Sequence, residues 1–336
     1  MNLPENIEIY TSQTIVTKTT EIYMPESIRK GLASSGLAPQ GMFVFPGLKQ
    51  TVSFDSAKDN YRLSSGFIPQ GICTAGKYIL LTAYDHVDNS SKKPLNSVIY
   101  VCSLADGKYI TTIVTPGRSH MGGICYDEEK KFIWYSNGAA VAGFSYDSLE
   151  KIAALCETVG NIAAVRMVSA EKNFKALKQA SFLTCFDGLL WIGTFSSSDT
   201  GEIYGYSYEK EGEALTPVIN MEAPTKAQGM CFYEKDGAAY LAVSCSYGIM
   251  TSTVRLYKTA YESKDKEAAL KEGKCRTVLK HTAYSVLKFP HGLENIAVNG
   301  NRVYIMFESA KVMTKNPLCK IDRVIKYKAR DFFGIS

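Results

Sequence analysis

Two of the chain's four histidines, His120 in Ser-His-Met-Gly-Gly and His291 in Phe-Pro-His-Gly, stand within two residues of a glycine and just before an apolar run. Imidazole is the side chain whose ordinary pKa lets it move a proton near neutral pH, so these two are the candidate catalytic groups. Gln70, Gln179, Gln228 and Glu294 occupy the same kind of lead-in elsewhere in the chain. A second set closes short aliphatic and aromatic runs: Asp85 with His86, Asn137, Ser246 with Tyr247, and Glu308. Acids, amides and imidazoles in such numbers suit proton transfer or polar ligand binding. They can act together only if the fold gathers residues that lie far apart in sequence.

A repeat supplies the means. Five times the chain gives a polar lead-in, a small residue with an apolar partner, a turn, and a second apolar strand. The copies begin at Gln70-Gly71-Ile72, Gly122-Gly123-Ile124, Ala180-Ser181-Phe182, Gln228-Gly229-Met230 and Glu294-Asn295-Ile296. Their marks at 71, 123, 181, 229 and 295 lie 52, 58, 48 and 66 residues apart, room for four strands and three turns each. Ala105-Asp106-Gly107-Lys108 is a hairpin turn by type, and similar turns recur at the same place in each copy, such as Asp187-Gly188 and Asp236-Gly237. Repeats of this length built from strands predict an all-β protein, a β-propeller of four-stranded blades.

The last copy ends before a fourth strand, so an N-terminal strand should close the ring and cover its open edge. Ile7 to Tyr10 and Thr14 to Lys18, both alternating and β-branched, are the expected closing segments. Five blades follow, in one domain over 1–336: a closing strand and lead-in at 1–66, then repeats near 67–116, 117–176, 177–224, 225–288 and 289–336. A degenerate sixth blade is the alternative, because Gln40 to Phe45 echoes the repeat opening. Helix formers without proline in Ser148 to Gln179 predict one or two short helices, and Lys264 to Lys280 reads as a solvated excursion.

Composition sets limits. The chain is 46% hydrophobic and 21% charged, the balance of a globular protein with a large core. No run approaches the roughly 18 apolar residues of a membrane helix. The net charge is +5, and its densest basic stretch, Lys311 to Arg330, alternates like the solvent side of an outer strand. No nucleic acid is expected as a partner. The nine cysteines include no C-x-x-C pair; Cys73, Cys125 and Cys231 share one repeat position and should be buried between blades as free thiols. Free thiols and the absence of a signal-like start favour the cytoplasm, with an extracytoplasmic location if a leader has been removed.

In a propeller the starts of the innermost strands and the ends of the second strands converge on one mouth of the central channel. His120 and His291 would then face Gln70, Gln179 and Gln228 as substrate-binding groups, with Tyr84 and Tyr247 at second-strand ends. Tyr135 holds a related place. Oxygen-rich surroundings of this type suit Ca²⁺ or Mg²⁺ better than zinc. There is no dinucleotide fingerprint, P-loop lysine or nucleophile elbow.

The glycine-led strand phrase resembles that of the streptogramin-lyase, NHL and gluconolactonase-like propellers. Gln228-Gly229-Met230 with Ser244-Cys245-Ser246-Tyr247-Gly248, and Glu294-Asn295-Ile296-Ala297 with Tyr304 to Ser309, resemble a bacterial propeller group of unassigned function over residues 66 to 330. Likeness to gluconolactonases implies one divalent ion held by Asp85, Asn137 and Glu294, with Glu308 as a substitute, although their Glu-Gly-Pro motif is absent. Likeness to streptogramin lyases implies His291 with Glu308 or Glu294. Two functions remain open. One is a module binding a small molecule, peptide or protein at the funnel or on one face. The other is a divalent-metal-assisted lyase or hydrolase of lactone or ester type.

Overall fold

The computed structural model describes residues 3–86, 93–176, 178–209, 212, 214–278, 283–310 and 320–335. Residues 311–319 of the basic stretch and the end of the 264–280 excursion lie outside them. The chain forms a five-bladed β-propeller. Blade one runs outward through Phe67–Ala75, Tyr78–Asp85, Val98–Ser103 and Tyr109–Val114. Blade two has Ile124–Asp127, Phe132–Asn137, Ala140–Ser145 and Lys172–Lys175. Blade three has Phe182–Phe186, Leu189–Gly193, Gly201–Ser207 and Thr216–Ala223. Blade four has Ala227–Lys235, Ala238–Cys245, Ser252–Lys258 and Ala283–Phe289. Blade five has Leu293–Asn299, Arg302–Phe307 and Arg323–Lys328, and takes its outer strand from the N-terminal region.

That closing strand is Gly41–Val44, in antiparallel register with Arg323 to Lys326. The segment that echoed a repeat opening is therefore the outer strand of the fifth blade. Ile7–Thr11, expected to close the ring, pairs instead with Ile162–Met167, which runs parallel to the outer strand of blade one. Alternation marks a segment as a strand but says nothing about which free edge it meets. Thr17 belongs to neither: its hydroxyl meets Thr112 at 2.9 Å, and Lys18 makes only an isolated bridge to Gln50. The chain reaches blade five by crossing Asp322, whose carboxylate accepts from the amides of Ile22 and Tyr23 at 2.6 and 3.1 Å.

The insertion after Ser145 holds one of the expected helices, Tyr146–Thr158, begun by Ser145 Oγ accepting from the Ser148 amide. The second helical expectation gives way to strand: Lys172–Lys175 pairs with Ala140 to Gly143, because blade two needs an outer strand and tertiary pairing outweighs propensity. The charged excursion carries the helix Ser263–Glu272, ended by left-handed Gly273.

Five hydrophobic clusters occupy the five seams between neighbouring blades. Trp134 with Leu183 and Tyr206 fills the seam of blades two and three; Trp191 with Met230 and Val243 fills that of three and four. Ile72 and Leu81 meet Tyr304 and Met306 across the closing seam. Each large side chain so buried contributes about 1.5–3 kcal/mol, so the ring is held by its seams and by the closing strand together. Among the described residues, no helix is long and apolar enough to cross a membrane.

Candidate functional site

The repeat phrase is a strand with a bulge. In blade one the pairing of innermost and second strands shifts between Pro69 and Ile72, in blade four between Ala227 and Gly229, and in blade five between Leu293 and Asn295. The residues displaced from the ladder are Gln70 with Gly71, Gln228, and Glu294. A bulge re-aims the side chain it displaces, so in blades four and five one local device presents a polar group at equivalent places by the channel.

Second-strand hydroxyls fix these bulges. Thr82 Oγ1 accepts from the Gly71 amide at 2.7 Å and donates to the Met121 carbonyl at 2.8 Å, tying blade one to blade two. Ser244 Oγ donates to the Glu294 carbonyl at 2.9 Å, tying blade four to blade five. The glycines permit the close approach: a Cβ on Gly229 would lie 2.8 Å from Asn295.

A cavity of about 590 Å³ opens at this end of the ring. Blade one contributes Ile68, Tyr84 and His86 to its wall; the lead-in and second strand of blade two contribute His120, Met121 and Ser136. Gln179, Ser181 and Phe195 come from blade three, Gln228 and Tyr247 from blade four, and Glu294 and Glu308 from blade five. Of the candidate site residues, Tyr84, His120, Gln179, Gln228, Tyr247, Glu294 and Glu308 are thus brought together. Four are not. Gln70 is fully buried, with Nε2 on the carbonyl of Pro69 at 2.8 Å. Asp85 accepts from Ser64 Oγ at 2.6 Å and from the Leu95 amide at 2.9 Å, away from the cavity. Asn137 sits in the hairpin opposite Ala140. His291 is buried outside the wall, its pKa lowered by burial and by the charge of Lys320.

Phe195 and Met121 were missing from the sequence-based set. Phe195 follows its second strand just as Tyr247 does, so aligning strand ends would have found it; the two rings lie 6.1 Å apart at 30°. Met121 takes a left-handed backbone, φ 50°, which no local residue preference signals.

The electrostatics centre on two carboxyls. Glu294 is only 2% exposed, and its Oε2 has no hydrogen-bond partner. Burial, and then the charge of Glu308, hold its pKa well above the usual carboxylate range. Burial pushes Glu308 up to about 7. Tyr84 is pushed up to about 12 by burial and by both carboxyls. His120 keeps solvent contact and packs on Tyr84, ring centroids 4.4 Å apart; the protein crowded around it lowers its pKa.

The cation set implied by the gluconolactonase likeness is not assembled here. Only Glu294 and Glu308 of the four residues border the cavity, and Asp85 is already engaged. Among the described residues no three His, Cys, Asp or Glu side chains gather so as to hold a metal ion. Two carboxylates fall short of the six to eight oxygens that Ca²⁺ takes, so among the described residues the set implied by the likeness is incomplete.

At the opposite ends of the inner strands lies a second cavity of about 550 Å³, bordered by Asp127, Glu128, Glu129 and Asp187. Asp127 accepts from Tyr208 and Asp187 from Tyr261, both at 2.6 Å, so these two acids serve the fold. Between the two ends the channel is lined by Cys73, Cys125 and Cys185, with the Cys125 and Cys185 sulfurs 3.2 Å apart. Cys231, the third equivalent cysteine, packs in the seam of blades four and five.

No family model matches the chain, and neither does any curated protein. Similar solved structures are propellers. The crystal structure of Myxococcus xanthus glutaminyl cyclase is 10% identical, with a TM-score of 0.45 over 87% of this chain and 95% of that one. The WD40 β-propeller domain of Doa1 is 11% identical, with a TM-score of 0.37 over 80% of this chain and 67% of that one.

Proposed function

We propose that the protein is a ligand-binding propeller whose ligand, a small molecule or the end of a peptide, occupies the 590 Å³ cavity at the bulged ends of the inner strands. One observation carries this reading: all five blades contribute polar groups to that wall, and two of these groups, Gln228 and Glu294, are set on the same strand bulge. The volume falls in the range of roughly 300–1,000 Å³ typical of small-molecule sites, and a rigid ring positions its loops with little freedom. Met121, Phe195, Tyr84 and Tyr247 supply apolar and aromatic surface, while Gln179, Gln228 and His120 supply directional hydrogen bonds.

A second reading, a lyase or hydrolase, is favoured by Glu308 alone. A carboxyl pushed up to about 7, in a cavity that His120 also borders, can give and take a proton at neutral pH.

A small-molecule thermal-shift screen on the wild type and on Gln228→Trp tests the binding reading. Compounds that raise the wild-type melting temperature but not that of the variant support it. Compounds that act equally on both would move the site elsewhere.

A further inference from the structure

Glu294 stands out in the cavity wall. Of the buried side-chain oxygens and nitrogens left without a hydrogen-bond partner among the described residues, only its Oε2 belongs to a cavity-lining residue. Neither Glu294 nor Glu308 forms an ion pair with any described lysine, arginine or histidine. Native folds seldom leave a buried carboxyl without a partner, since its desolvation is then uncompensated. Here Glu294 is such a group, half-buried Glu308 is close enough for its charge to reach it, and among the described residues neither is given a cation.

The rest of the wall says what kind of partner would complete them. A hard metal ion is best held by oxygens, whereas beside its amides, hydroxyls and imidazoles the wall presents a large apolar and aromatic surface of Ile68, Met121, Tyr84, Phe195 and Tyr247. Aromatic faces attract organic cations, and apolar side chains take a hydrocarbon body. Tyr247 already shows that affinity on the rim, where Lys226 Nζ lies 5.6 Å from its ring centroid. The orphaned oxygen lacks a donor. A quaternary ammonium has no N–H to give; a primary ammonium has three.

Resting on the ligand-binding reading above, we propose that the cavity binds a primary organic amine in its ammonium form, which donates to Glu294 and Glu308 while its carbon skeleton packs on Tyr84, Phe195 and Tyr247. Binding then displaces the protons that burial keeps on the pair. Affinity rises with pH from about 6 to about 8, by up to ~10-fold per unit for each proton released, until the amine itself deprotonates. The other titratable groups facing the pair are Tyr84, His86, His120 and Tyr247, with Lys226 at the rim. The crowding around His120 lowers its pKa, which lessens the positive charge it would set against the ammonium.

Titration calorimetry with phenethylammonium chloride and with its neutral isostere 2-phenylethanol, near pH 8, tests the proposal on the wild type, Glu294→Gln and Glu308→Gln. The amine should bind the wild type and the alcohol should not. Glu294→Gln, shown folded by its melting curve, should weaken the amine by at least ~30-fold. Equal binding of amine and alcohol, or an undiminished amine in Glu294→Gln, overturns the ammonium proposal and leaves the cavity a ligand site of another class. So does failure of phenethylammonium, putrescine and lysine methyl ester alike at millimolar concentration, while the screen on Gln228→Trp judges the broader reading separately. Tight binding of Ca²⁺ or Mg²⁺ alone that is lost in Glu294→Gln overturns it in favour of a metal site.

Discussion

Asn295 of blade five donates its Nδ2 to the carbonyl of Gly122 in blade two at 3.0 Å, a bond between two blades that are not neighbours in the ring. It therefore crosses the channel. Its Oδ1 accepts from the amide of Ile296 at 2.8 Å, so both ends of the side chain are used, and Asn295 is only 1% exposed. Because Gly122 borders the cavity and Glu294 is the preceding residue, this bond forms part of the cavity floor.

Asn295→Ala should leave the Gly122 carbonyl buried and unpaired. The expected loss is about 1–3 kcal/mol, the cost of an unsatisfied buried polar group. Urea unfolding of the variant measures it. A variant as stable as the wild type would mean that the floor is held by other contacts.

The same floor explains a glycine. At Gly229 a Cβ would sit 2.8 Å from the Cα, Cγ and Oδ1 of Asn295, in a place where the backbone of one blade lies against the next. Gly229→Ala should cost about 1–3 kcal/mol through overpacking. Gly160 is the control, because a Cβ there would meet nothing within 4 Å, and Gly160→Ala should stay within about 0.5 kcal/mol of the wild type. Equal melting temperatures for the two variants would remove the steric argument.

These particulars show how far the sequence could be read. The glycine phrase revealed the blades because close inter-blade approach demands a small residue, a demand that recurs at Gly71, Gly123 and Gly229. Glu294 was legible as a site residue because it stands where another blade has Gln228. The closing strand was not legible, since Ile7–Thr11 and Gly41–Val44 carry equally good strand patterns and only three-dimensional placement decides between edges. Lys172–Lys175 reads as helix and folds as strand for the same reason. Asp85 was misleading because neighbouring strand residues face opposite ways. Tyr84 borders the cavity, so Asp85 turns from it.

Asp85 thus has a structural task, and mutation separates that from a role in ligand capture. Its two oxygens hold Ser64 and the Leu95 amide, joining the Asn60–Ser64 strand and the lead-in to the third strand onto blade one. Asp85→Asn should destabilise the fold by about 1–3 kcal/mol. Bound ligand measured by calorimetry should be unchanged in the fraction that remains folded. Loss of binding with full stability would place Asp85 in the site after all.

The buried carboxyl pair should also leave its mark on stability as a function of pH. An unfolded glutamate ionises near 4.3, whereas burial holds Glu308 at about 7 and Glu294 higher still. A carboxyl whose folded pKa is raised binds more protons in the native state than in the unfolded one. Its stabilising effect is complete below the unfolded value and is lost as pH rises through the folded one. The wild-type melting temperature should therefore fall between about pH 5 and pH 8, by a free energy of at most ~3 kcal/mol for Glu308. Glu294→Gln removes one ionisation and keeps the side-chain shape. It should be close to the wild type near pH 5 and more stable by about 1–3 kcal/mol near pH 8, the opposite of its effect on amine binding. Calorimetric melts of both proteins across this range check the sign. A flat wild-type profile, or a variant that is weaker at the higher pH, would mean that the pair ionises freely in the native state and that Glu294 already has its partner.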